Sequence, residues 1–168
     1  MGGGASRFGR IDESTFDRLL DLQIAGGVTG IVPFGTTGES PTLLQAEKDA
    51  LLKRTLERCR GTGILVFAGT GTNSTRSTIE NTLRAQELGA DGFLVVTPYY
   101  NKPTQRGLLD HYTAIAQQIK KPILLYNVPG RTGCSLQADT VMQLAQNALI
   151  SGIKEASGGL ALTSEKIK

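Results

Sequence analysis

The 168-residue chain is long enough for a domain with a buried core, and its 39% apolar and 20% charged residues are ordinary for a globular protein. The net charge of +3 is dispersed and only 5% of residues are aromatic, which argues against nucleic acid or a membrane surface as partner. No run approaches the roughly 20 apolar residues of a bilayer span, and the Met1-Gly2-Gly3-Gly4 start has no apolar signal core, so the expectation is a cytoplasmic protein acting on small soluble ligands.

In chain order, an irregular segment over residues 1–10 precedes a helical pattern from Glu13 to Ala25, closed by Gly26-Gly27. A strand-like run from Gly30 to Phe34 leads into Gly35-Thr36-Thr37-Gly38-Glu39. Ser40-Pro41 then suits the N-cap and first position of a helix running from Thr42 to Cys59. Ile64 to Ala68 reads as the next strand, Gly69 to Asn73 as a polar loop and Ser77 to Leu88 as a helix ending at Gly89. The pattern repeats with strands Gly92 to Thr97, Pro122 to Asn127 and Ala148 to Lys154, and helices Gly107 to Ile119 and Ala138 to Asn147. A strand recurring about every 30 residues is the period of a βα unit. The fold class is therefore α/β with a parallel sheet, either doubly wound or closed as a (β/α)8 barrel.

Polar residues gather after each strand, at the rim where both kinds of sheet build their sites. Alternation along the last strand puts Gly152, Lys154 and Ala156 on one face and Ile153 and Glu155 on the other. If that face looks into a barrel, the Lys154 ammonium is partly desolvated, and a neutral amine able to attack a carbonyl becomes accessible. The competing reading is a solvated strand-end lysine or one paired with Glu155. Tyr126 emerges on the same rim one strand earlier, where a phenol could relay the protons that imine formation must move. Gly35 to Glu39 offers backbone N–H groups and two hydroxyls to a carboxylate, and Arg131, after the Pro129-Gly130 turn, could grip a second one. The Gly35 loop lacks a Walker lysine and the Gly69 loop lacks a third glycine, so neither reads as a nucleotide site. His111 is the sole histidine and reads as a surface or packing residue rather than a catalyst. Cys59 and Cys134 have no metal-ligand spacing and read as free buried thiols.

Taken together, Gly35-Thr-Thr-Gly-Glu-Ser40, Thr97-Pro-Tyr-Tyr-Asn-Lys-Pro103, Tyr126-Asn-Val-Pro-Gly-Arg-Thr-Gly133 and Gly152-Ile-Lys-Glu-Ala-Ser-Gly158 resemble the dihydrodipicolinate synthase family, from about Gly9 to the C-terminus. The resemblance implies a class I aldolase barrel that condenses pyruvate with L-aspartate 4-semialdehyde in lysine and diaminopimelate biosynthesis, without a cofactor. By motif, Lys154 would form the imine and Tyr126 would relay protons. Thr36 would link Tyr126 to Tyr100, which in this family reaches in from a neighbouring subunit of a dimer of dimers. Thr37 would hold the pyruvate carboxylate and Arg131 that of the semialdehyde. N-acetylneuraminate lyase and 2-keto-3-deoxy sugar-acid aldolases share the lysine and tyrosine, but Thr36 and Arg131 look like the synthase branch.

Two departures from the family pattern bear on function. Asn73 and Tyr99 match the family's lysine-feedback site, but Ser77 stands where a glutamate helps bind the effector. Loss of that charge-assisted bond, about 1.5 to 3 kcal/mol, predicts weak or absent inhibition by lysine. A complete (β/α)8 barrel needs about 250 residues. Residues 11–168 are thus expected to form a partial barrel lacking the first strand and the last two βα units and ending in the helix after the sixth strand. That expectation keeps a second possibility open, an inactive fragment that associates with full-length subunits.

Overall fold

The computed structural model describes residues 9 and 11–158; the expected irregular segment 1–10 falls almost wholly outside them, as does the helix expected after the last strand. The chain divides into two compact units, one comprising residues 1–69 and 85–92 and the other residues 70–84 and 93–168.

In the first unit, helix α1 (Glu13–Ala25) is started by Asp12, whose carboxylate accepts the Thr15 N–H at 2.9 Å and the Ser14 and Thr15 hydroxyls at 2.8 Å each. These bonds favour the charged form and hold the Asp12 pKa at about 2. Phe16 and Leu20 turn inward from α1, and Leu51, Leu52 and Cys59 from α2 (Gln45–Cys59). The facing acidic and basic residues recur every four positions, so Glu13, Asp17 and Asp21 meet Arg54 and Arg58 in a ladder of ion pairs of 2.8 to 3.0 Å. Strand β1 (Gly30–Ile31) pairs parallel with β2 (Leu65–Gly69), Gly30 level with Leu65.

Two expected boundaries move here. The first strand stops at Ile31, because Pro33 has no N–H to give a ladder and Phe34 takes a φ of 63°. Ser40-Pro41 opens only a single tight turn, Ser40–Thr42; α2 begins after Leu44, whose N–H donates to the Glu47 carboxylate at 2.7 Å. A carboxylate reaching back from the helix's own first turn displaces the serine as the capping group.

The second unit carries β3 (Gly92–Val96) from Phe93 onward, β4 (Ile123–Asn127) and β5 (Ile150–Glu155), paired parallel in that order. Helix α3 (Thr75–Leu88) runs from this unit into the first. Helix α4 (Gln105–Ala116) starts two residues earlier than expected, because the Thr104 hydroxyl accepts the Gly107 N–H at 3.1 Å. It buries Leu108, Tyr112 and Ile115, and the Tyr112 hydroxyl donates to the Val95 carbonyl at 3.0 Å. The turn after β4 is a one-turn helix, α5 (Pro129–Thr132), and α6 (Ala138–Leu144) follows. Gln105 ties α4 to the start of α6: its amide donates to the Ser135 carbonyl at 2.8 Å, and its Oε1 accepts the Gln137 N–H and the Thr140 hydroxyl.

The β4–β5 ladder contains a one-residue slip. Ile123 is level with Ile150, yet Leu124 is level with Gly152, so Ser151 is left over and its hydroxyl donates to the Ile123 carbonyl at 3.2 Å. Beyond the slip Tyr126 stands opposite Lys154 and Asn127 opposite Glu155.

Candidate active site

The end of β5 presents two charges in opposite directions. Lys154 Nζ lies 4.5 Å from the centre of the Tyr126 ring, a cation–π distance, and Tyr126 itself is buried. Glu155 faces away from it and receives the Asn127 amide at 3.0 Å on both carboxylate oxygens. The ion pair with Glu155 considered for Lys154 is therefore not formed. The partial desolvation that a closed barrel would give Lys154 is not seen, and the competing solvated reading is the one observed. Among the described residues β5 has β4 as its one neighbour, and the lysine side chain is exposed.

Tyr100 and Arg131 flank one recess of about 770 Å³, lined by Tyr99, Tyr100, Lys102, Pro129, Gly130, Arg131, Thr132 and Gly133. Tyr100 sits at the centre of a turn in which the Asn101 N–H donates to the Tyr99 carbonyl at 2.9 Å, with a φ of 73°. A turn of this hand is rare and strained for a residue with a side chain, on the order of 1 to 3 kcal/mol. What holds it is the Tyr100 N–H donating to the Thr132 carbonyl at 3.2 Å. The strain holds a phenol 88% exposed. Arg131 is exposed on α5 as its turn suggested, and its guanidinium has no ion-pair partner among the described residues. Lys102, to which the sequence reading gave no role, lies over Gly133 and brings a second cation to the recess. Two cations beside a phenol suit an anionic ligand.

Thr36 and Thr37 belong to the first unit, exposed in the tight turn Thr36–Gly38. The Gly38 N–H is already used, donating to the Gly35 carbonyl at 2.8 Å, and the Glu39 N–H donates to Thr36 at 3.2 Å. Thr37 keeps its hydroxyl and N–H unpartnered among the described residues. Because α2 starts only at Gln45, this loop is not the helix N-terminus that the sequence suggested.

His111 is buried, with Nδ1 2.9 Å from the Thr75 hydroxyl and its ring edge-on to Tyr112. Of the surface and packing roles the sequence allowed, it takes the packing one; Cys59 is a buried free thiol as expected, whereas Cys134 is only half-buried. The residue that sequence reasoning missed is Asn127, fully buried beneath the site. Its signal was a polar side chain closing an otherwise apolar strand. Among the described residues no group of three His, Cys, Asp or Glu could hold a metal ion, and no helix is long and apolar enough to cross a membrane.

The model of the dihydrodipicolinate synthetase family matches residues 5–168. The chain belongs to this family. Among curated members, the 4-hydroxy-tetrahydrodipicolinate synthase of Bdellovibrio bacteriovorus is 51% identical over 160 residues, which are 95% of this chain and 54% of that protein. The synthase of Geotalea daltonii is 52% identical over 157 residues, 94% of this chain and 54% of that protein. The chain thus spans about half the length of the curated relatives it matches. Among solved structures, the chloride-inhibited enzyme of Acinetobacter baumannii complexed with pyruvate superposes with a TM-score of 0.96 at 44% identity, covering 99% of this chain and 57% of that one. The enzyme of Cyanidioschyzon merolae with lysine bound gives 0.91 at 40% identity over 94% of this chain and 54% of that one. The fold is a partial (β/α)8 barrel, as expected from the βα repeat together with the family motifs.

Proposed function

We propose that the chain carries the Schiff-base machinery of this family and condenses pyruvate with L-aspartate 4-semialdehyde to 4-hydroxy-tetrahydrodipicolinate. The observation that carries the reading is the ammonium of Lys154 set against the Tyr126 ring while its neighbouring carboxylate is held by Asn127. The amine of Lys154, in its neutral form, attacks the pyruvate carbonyl carbon. Water leaves as the imine forms, and the Tyr126 phenol moves the protons between amine, carbinol oxygen and solvent, linked through Thr36 to Tyr100.

Loss of a proton from the imine's methyl group gives an enamine whose terminal carbon attacks the aldehyde carbon of the semialdehyde. The semialdehyde's amine then closes the ring on the imine carbon and frees Lys154. The net change is two substrates joined with loss of one water. Thr37 supports this reading with an unpartnered hydroxyl and N–H for the pyruvate carboxylate, and Arg131 with an uncommitted guanidinium for the carboxylate of the semialdehyde. We take the working form to be a cytoplasmic homo-oligomer in which Tyr100 serves a neighbouring subunit; its exposure supports this.

A second reading, a non-catalytic chain that associates with full-length subunits, is favoured by the exposure of Lys154. Incubating the purified chain with pyruvate and borohydride separates the two. Irreversible mass gain at Lys154, lost in Lys154→Ala, is expected; a chain that stays unlabelled would sink the claim of independent chemistry. The acceptor is then decided by comparing aspartate semialdehyde with N-acetylmannosamine.

A further inference from the structure

Lys154 lies near the end of its strand and has no side-chain hydrogen bond among the described residues, so the direction of its side chain depends on how firmly the backbone from residue 153 to 157 is held. That stretch is held from below by one buried side chain and its carboxylate partner. Asn127, fully buried, gives its amide to both oxygens of Glu155 at 3.0 Å and to the Ser135 hydroxyl at 3.3 Å, while its Oδ1 accepts the Leu136 N–H at 2.9 Å. Its backbone carbonyl accepts the Ala156 N–H at 2.8 Å, and Glu155 in turn accepts the Ser157 N–H at 2.9 Å. Donors and acceptors of the Asn127 amide are all matched, a costly arrangement to leave half-made in a buried place.

We propose that Asn127, acting through Glu155, is the positioning residue that fixes Lys154 for reaction. The bonds clamp the residues that follow Lys154 and form no hydrogen bond with its own side chain. The proposal rests on the reading of Lys154 as the imine-forming residue. Neither Asn127 nor Glu155 touches the reacting atoms in that reading.

The test is an exchange of the two groups. Asn127→Asp sets a carboxylate against a carboxylate, whereas Glu155→Gln keeps one oxygen for the Asn127 amide and gives up the charge and the second contact. The double variant restores one donor facing one acceptor with the chemistry reversed. Asn127→Asp is expected to lower the maximal rate of borohydride trapping with pyruvate about tenfold, because misplacement of a reacting group acts on rate, and Glu155→Gln to lower it less. The half-saturating pyruvate concentration should change less than about twofold, since the carboxylate anchor is elsewhere. The double variant should return to within about twofold of the parent.

Backbone amide exchange at Ala156 and Ser157 should accelerate in Asn127→Asp and recover in the double variant, with the Phe93 amide unchanged as control. Equal trapping in the parent and Asn127→Asp, or a double variant no better than Asn127→Asp, would overturn the proposal. If the parent chain is not trapped at all, the Lys154 reading fails by itself. The exchange data then still decide whether Asn127 holds this strand end, and unchanged Ala156 and Ser157 amides in Asn127→Asp would refute it.

Discussion

Thr75 Oγ1 and His111 Nδ1 stand 2.9 Å apart, while the other ring nitrogen of His111 is buried without a polar partner among the described residues. Burial disfavours the imidazolium and lowers the His111 pKa from 6.5 to about 4. The folded chain therefore binds fewer protons than the unfolded one between these values. Its stability is complete above about pH 6.5 and falls as the pH drops toward 4, by up to about 3 kcal/mol. Urea unfolding at pH 7.5 and 4.5 should show this loss, and His111→Gln should remove that part of it. An equal pH dependence in the two proteins would refute the assignment.

Two glycines should respond oppositely to alanine. A Cβ at Gly69 would meet the Phe34 carbonyl oxygen at 2.3 Å, a backbone atom that cannot swing aside. Gly69→Ala should destabilise by about 1 to 3 kcal/mol. Gly107 lies inside α4 with ordinary contacts of 3.5 Å and more to a new Cβ, so Gly107→Ala should stabilise by roughly 0.5 to 1 kcal/mol. Thermal unfolding of the two variants checks both signs.

The uncommitted guanidinium of Arg131 predicts a selective kinetic defect. Arg131→Ala should raise the half-saturating concentration of aspartate semialdehyde by about ten- to a hundredfold, the worth of a charge-assisted pair. Borohydride trapping with pyruvate alone should change little by comparison. Steady-state and single-turnover measurements on the same preparation distinguish this from a general loss of folding.

Lysine should inhibit weakly. The Ser77 hydroxyl lies 3.2 Å from that of Ser74, and the Asn73 side chain is engaged with Asn101, so no carboxylate from position 77 awaits an effector ammonium. Ser77→Glu should create or sharpen lysine sensitivity, read as the inhibition constant of each protein. Strong inhibition of the parent chain would contradict the expectation.

The repeat of strands and helices was legible because apolar runs and helical periods are local properties, and α1 was found residue for residue. Boundaries moved wherever a side chain acted across a turn, as when Glu47 capped α2 or Thr104 capped α4. Alternation correctly put Lys154 and Glu155 on opposite faces. It could not say which residues of β4 each would meet, because that depends on the extra residue absorbed at Ser151. Nor could it give the solvent exposure of Lys154, which depends on what covers the strand rather than on the strand itself. Asn127 stayed hidden because its partners, Glu155, Ser135 and Leu136, become neighbours only once the register is set.

The leftover Ser151 has a consequence for engineering the strand. Were Ile123 and Ile150 followed by a regular ladder, Asn127 would stand opposite Lys154 and Tyr126 opposite Ile153. Deleting Ser151 would instead close the slip with every later pair kept, Gly152 level with Leu124 and Lys154 level with Tyr126. One spare residue thus marks the codon this strand can lose, whereas loss of Ile153 would set Lys154 level with Leu125 and turn the ammonium to the other face.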